Sequence, residues 1–200
     1  MSAFLAPVHF WLYNKIGLQE ELIDDIIDLA SEEGWTADGK NPSEFSGGEL
    51  PALESVIDTS NIHGWLQARI QEAEKRYAEL VTGLLRDNPE RMTRICRAAR
   101  TFGEHHAMET GADPQSAFRA LQNSLLDGMP CDRVNALDEN SDRRIAWHRE
   151  QNLHGTFWTK AGGFPSVYDR LRSEIIKGML SHTELTYSDL GNDSYEICAA

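Results

Sequence analysis

Apolar residues recur at helical spacing from residue 7 to about residue 31, where Val8, Leu12, Ile16, Ile23, Ile26, Ile27 and Ala30 alternate with Glu20, Glu21, Asp24, Asp25 and Asp28. Intervals of three and four residues place those side chains on one face, so the segment reads as a long amphipathic helix. Gly17 is the point where this pattern allows a kink or a break, since glycine weakens a helix interior by about 1 kcal/mol relative to alanine. Residues 34–51 carry Gly34, Gly39, Pro42, Gly47, Gly48 and Pro51 and lose the period, which is loop chemistry. A short helical piece follows over residues 53–57. Ser60 or Asn61 then offers an N-cap to a helix through Trp65, Ile70, Ala73, Tyr77, Leu80, Val81 and Leu84, ending near Asp87. Asn88-Pro89 and Asp113-Pro114 each place a capping side chain before a proline at the first helical position. They open a third helix striped by Met92, Ile95, Cys96, Ala99, Phe102, Gly103 and His106 and expected to end at Gly111. The fourth carries Ala117, Phe118, Leu121, Leu125 and Leu126 and is closed by Gly128 and Pro130.

The period changes to two after Pro130. Val134 and Ala136, then Ile145 and Trp147, flank the turn-rich residues 138–142, and Leu185 and Tyr187, then Tyr195 and Ile197, flank residues 190–193. Both stretches read as β-hairpins with one buried face. Arg144, Ala146 and His148, Glu184 and Thr186, and Ser194 and Glu196 fall on the outward parity. Between the hairpins, a helix begins after Gly162-Gly163-Phe164-Pro165 and carries Val167, Leu171, Ile175, Ile176 and Met179. The expected fold is α+β: four to five helices packed on one face of a small antiparallel sheet of about four strands. Two hairpins alone are marginal, so the chain reads as a single domain over residues 1–200. Its helical part covers about 4–129 and its hairpin-helix-hairpin part about 130–198.

Charge narrows the partners. The 200 residues hold 32 Asp and Glu against 19 Lys and Arg, a formal net charge of −13. Affinity for duplex nucleic acid comes largely from Lys and Arg neutralising phosphates, so this balance argues against a nucleic-acid partner and against an anionic membrane surface. No apolar run approaches the roughly 18 residues of a membrane-spanning helix. The apolar start is followed by Lys15 too late for the charged region of a signal peptide. Cys96, Cys131 and Cys198 are odd in number and widely spaced, as expected of reduced thiols in a cytoplasmic protein rather than of a disulfide framework.

Candidate chemistry centres on seven histidines. His148 and His154 bracket a polar segment that leads to Phe157 and Trp158, at a strand end where a scaffold commonly fixes binding residues. With Asp169 of the following helix, His148, His154 and Trp158 form the candidate site for a small-molecule ligand. An alternative is a metal held by His9, His63, His105, His106 and Glu109, because His105 and Glu109 share a helix face. His9 and His106 both continue apolar stripes, where a hydrogen-bonded core histidine is the commoner outcome. A third reading gives the aromatic stretch from Phe4 to Ile16 to a homodimer or partner surface. None of the cysteines has a histidine at catalytic spacing, Gly47-Gly48 and Gly162-Gly163 belong to no phosphate-binding motif, and no pattern names a cofactor.

The order of elements from Ile95 to Ile197 resembles the L-2-amino-thiazoline-4-carboxylic acid hydrolase-like family. The likeness rests on residues 97–103 (Arg-Ala-Ala-Arg-Thr-Phe-Gly), a further helix, the hairpin from Val134 to His148, Phe157-Trp158, and the Tyr168-Asp169 helix before a closing hairpin. It spans about half of the chain. The family's Cys-Pro dipeptide falls at Asn152-Leu153 in this chain, and of its helical cysteine and aspartate only the aspartate is matched, by Asp169. The resemblance implies an α+β scaffold that encloses a small ligand and, by analogy, ring-opening hydrolysis of a small heterocycle or amide.

Overall fold

The computed structural model describes residues 4–199. The first helix, α1 (Pro7–Glu32), runs unbroken through Gly17, where an added Cβ would meet nothing closer than Leu50 at 3.6 Å. A one-turn helix, α2 (Leu53–Val56), leads to α3 (Ile62–Asp87), which Asn61 caps by accepting the Gly64 N–H at 3.1 Å. Asn88 caps a 3-10 turn (Pro89–Arg91) that continues into α4 (Met92–His105). This helix stops well short of Gly111. The chain turns at His106, and the Met108 N–H donates at 2.8 Å to the carbonyl of Met179, pinning the loop to another helix end.

Asp113 caps α5 (Pro114–Ser124), which ends before the expected Leu125, because Leu125 is extended. Leu125 and Leu126 therefore enter the core from a loop, and Asp127 follows them. The strands β1 (Asn135–Ser141) and β2 (Arg144–Arg149) form the first hairpin. Between it and β3 (Leu185–Gly191) and β4 (Ser194–Ala199) lie α6 (Gly155–Lys160) and α7 (Pro165–Met179). The six-residue α6 is too short to show a helical period; counting it and the one-turn α2, the described residues hold seven helices against the four to five expected.

The sheet order is β1-β2-β4-β3, antiparallel throughout. Ile145 lies opposite Ile197 and Trp147 opposite Tyr195, all buried, and Trp147 meets Phe118 of α5 with ring centroids 4.9 Å apart. This confirms the α+β architecture. Ala146, of outward parity, is buried as well, and the inward parity ends on an arginine, Arg149, that is only 5% exposed.

The closest helix crossing is α4 on α7. A Cβ on Gly103 would press into the Ile175 carbonyl, and one on Gly178 into the Arg100 carbonyl. Glycine at both positions lets the two backbones touch.

The buried apolar side chains form two clusters. The smaller holds Leu12 and Ile16 of α1, the first half of α3 up to Ala73, and Leu126; the larger holds the rest of α1 and α3, the sheet, α4, α5 and α7. No helix among the described residues is long and apolar enough to cross a membrane.

Candidate functional site

Close to where α1 and α3 pass from one apolar cluster to the other, their inward faces carry charge. Lys15 follows Leu12 by three residues, Glu74 follows Ile70 by four, and on α7 Arg172 follows Tyr168 by four, so each continues an apolar stripe. Their exposures are 3%, 2% and 4%. Buried charge is retained only where partners satisfy it, so these side chains define a polar layer that needs a full account.

His154 stands at the centre. The Asn152 side chain accepts the N–H groups of His154 (3.1 Å) and Gly155 (2.8 Å), which starts α6 and turns the imidazole inward. Its Nδ1 lies 2.9 Å from a Glu74 carboxylate oxygen. On the other side, Nε2 lies 2.9 Å from the Tyr168 hydroxyl and 3.5 Å from Asp127 Oδ1. The Tyr168 ring stacks on the imidazole at 3.9 Å between centroids, and Trp158 packs against Tyr168 at 6.3 Å. Burial opposes a charge on His154, but the carboxylates of Glu74 and Asp127 outweigh it and push the pKa up to about 9. The ring is thus a cation at neutral pH.

Asp127 ties the layer together. It accepts from both terminal nitrogens of Arg172, at 3.1 and 3.2 Å, and from Asn135 Nδ2 at 2.8 Å. Burial alone would raise its pKa; Arg172, His154 and Lys15 reverse this and hold the carboxyl well below the usual range. Burial disfavours the charge on Arg172, and Asp127 more than restores it.

Lys15 is the exception. Its ammonium lies 4.3 Å from the centre of the Trp11 ring, and no described residue gives it a hydrogen bond or an ion pair. Burial pulls its pKa down to about 8, with Asp127 opposing that shift and Arg172 adding to it. Lys15 opens onto a cleft of about 580 Å³ whose wall also includes Trp11, Asp127, Arg133, Asn135 and Glu150. There Asn135 Oδ1 is buried without a hydrogen-bond partner. Counted by formal charge, Lys15, His154 and Arg172 exceed Glu74 and Asp127 by one positive charge.

Of the residues singled out from the sequence, the structure brings His154 and Trp158 together around Tyr168. Asp169, one residue on, points elsewhere and accepts from Arg149 at 2.8 Å, beside Asp193, which Arg149 also holds. His148 lies outside this cluster, at the sheet's outward face, with Nδ1 2.8 Å from Asp138.

The metal alternative is also dispersed. The His9 and His63 rings meet edge-on at 5.8 Å, while His9 Nδ1 accepts the Ala6 N–H at 3.0 Å. His106 lies 3.0 Å from Glu21, and His105 and Glu109 are exposed. Among the described residues no group of three or more His, Cys, Asp or Glu could hold a metal ion. In the first helix, Leu12 and Ile16 are core residues, Trp11 donates to Asn123 and Tyr13 to the Pro51 carbonyl, leaving Phe4, Val8 and Phe10 exposed.

No family model, no curated protein and no solved structure matches the chain. Lys15, Glu74, Asp127, Tyr168 and Arg172 were not among the residues picked from the sequence. For Lys15, Glu74 and Arg172 a signal existed, a charge interrupting an apolar stripe at helical spacing; Asp127, in a loop, had none.

Proposed function

We propose that the protein binds a small organic anion, a carboxylic acid, in the cleft walled by Lys15, Trp11, Arg133 and Asn135. The observation that carries this reading is the Lys15 ammonium: buried, without a carboxylate partner, and open to the cleft. A buried cation is costly unless paired, and a ligand carboxylate would supply the missing partner. The one positive charge left over by the polar layer favours a monoanion. Arg133, exposed at the rim and paired with no described residue, offsets the Glu150 carboxylate on the same wall.

This reading keeps the small-molecule ligand implied by the family resemblance but moves it to the cleft at Lys15, whose wall does not include His154 or Trp158; Asp127 separates the cleft from His154. For the resemblance's hydrolysis the segment after β2 supplies no thiol, since Asn152 stands there and is engaged in starting α6. Free Cys96, Cys131 and Cys198 favour a reducing compartment such as the cytoplasm.

Titration of the purified protein with acetate, lactate and benzoate, followed by NMR chemical-shift changes of Trp11 and Asn135, tests the reading. At least one acid is expected to shift these signals, and Lys15→Met is expected to weaken that binding about tenfold or more, the loss of one charge-assisted contact. Absence of shifts with all the acids, or equal binding by Lys15→Met, refutes it.

A further inference from the structure

An amine that attacks a carbonyl carbon has to be free of a carboxylate that would lock it as ammonium, unprotonated for part of the time, and reachable by a small molecule. Among the lysines, Lys75 and Lys177 pair with Glu79 and Glu174, and Lys40 and Lys160 stand exposed on the surface. Lys15 alone is buried, unpaired with any described residue, and at a cleft wall.

We infer that Lys15 is a covalent nucleophile and that the anion bound in the cleft is an oxo acid, whose aldehyde or ketone carbon condenses with Nζ to form an imine. This rests on the proposed ligand cleft and adds the reacting group of its occupant. The neutral amine adds to the carbonyl carbon, forming the C–N bond while the C=O π electrons pass to oxygen. Both Nζ protons end on that oxygen, which leaves as one water and yields the imine. A proton from solvent then gives the iminium. The step is neither an oxidation nor a reduction, and it needs no further reactant.

The surroundings suit each stage. Burial holds the amine near a pKa of about 8, so an appreciable neutral fraction is present at physiological pH. The Trp11 face covers the amine on one side, and Asp127, held ionised by Arg172, faces the iminium charge. The acid's own carboxylate offsets the positive charge that remains in the layer, with Arg133 on the same cleft wall. The cleft volume, about 580 Å³, admits acids larger than the smallest oxo acids.

Glyoxylate with cyanoborohydride tests this on the intact chain at pH 7. Reduction of the imine leaves a carboxymethyl group on each lysine that reacted, and peptide mapping reads the rate at each. Lys15 is expected to be modified about tenfold faster than Lys40, Lys75, Lys160 or Lys177, given its lower pKa against the ordinary value near 10.4. Excess acetate, which carries no carbonyl, is expected to slow modification at Lys15 only. Lys15→Arg is expected to keep acetate binding while losing the fast adduct. Modification of Lys15 no faster than of the exposed lysines overturns the inference. If acetate still binds in a Lys15-dependent way, the anion site survives without the covalent step; if neither acid binds, both readings fall.

Discussion

Asp127→Asn is the sharpest perturbation of the polar layer, because it changes charge with almost no change in volume. The carboxylate accepts twice from Arg172 and once from Asn135, and it faces His154 at 3.5 Å. The amide keeps one acceptor oxygen and puts an NH2 where the other carboxylate oxygen received a donor. At least one donor is then left facing another. Arg172 and Asp127 side chains are only 5% and 10% exposed, so water replaces the lost partner poorly. Removing one member of a buried ion pair costs about 3–5 kcal/mol. In a chain of this size each kcal/mol moves the melting temperature by about 2–4 °C, so a fall on the order of 10 °C is expected in differential scanning calorimetry. Asp127→Asn combined with Arg172→Met removes both charges and is expected to melt above Asp127→Asn alone, since an apolar side chain at the second site leaves no unpaired guanidinium. A single variant within about 2 °C of the parent would refute the claim that Asp127 holds the layer together.

Stability should also follow pH in a way set by the two bases of the layer. His154 is raised from 6.5 to about 9 by folding, so its stabilisation is complete below 6.5 and is lost as pH rises towards 9. Lys15, lowered from 10.5 to about 8, acts oppositely and restores stability as pH rises from 8 to 10.5. Melting temperatures are therefore expected to drop between pH 6.5 and 8 in the parent and to drop less in His154→Gln; parallel profiles would contradict the assignment. Gly178→Ala should lower the melting temperature by several degrees, because overpacking at the α4–α7 crossing costs about 1–3 kcal/mol. A neutral or stabilised variant would show that the crossing has room for a methyl group. Arg94→Ala, which breaks a pair with Glu33 whose side chains are 46% and 34% exposed, should change stability by less than about 1 kcal/mol in urea denaturation.

Much of the frame is legible in the sequence because its signals are local. Asn61, Asn88 and Asp113 cap where their spacing to the apolar stripe predicts, and the alternation in the hairpins places Ile145, Trp147, Tyr195 and Ile197 inward. The end of α4 is decided by a distant carbonyl, that of Met179, which no local pattern contains. The site is harder for the same reason. His154 and Trp158 stand out by residue type, yet their partners Glu74 and Asp127 come from 80 and 27 positions earlier in the chain. A stripe read only for its apolar members passes over Lys15, Glu74 and Arg172, although each sits where a leucine would continue the pattern. Arg149 could be read the same way, as the inward position two residues after Trp147.

The division of the apolar interior by this charged layer bears on how the molecule opens. α1 and α3 act as two axles, each carrying an apolar block at either end and a polar waist between. Cohesion across the waist depends on oriented contacts, which fail together once water enters, whereas each block is held by diffuse packing. The blocks are thus natural units of partial unfolding, with amide exchange in the smaller block expected to outpace that in the sheet. An occupant anchored on Lys15 of α1 and Asn135 of β1 would bridge them at the waist, turning two breathing bodies into one.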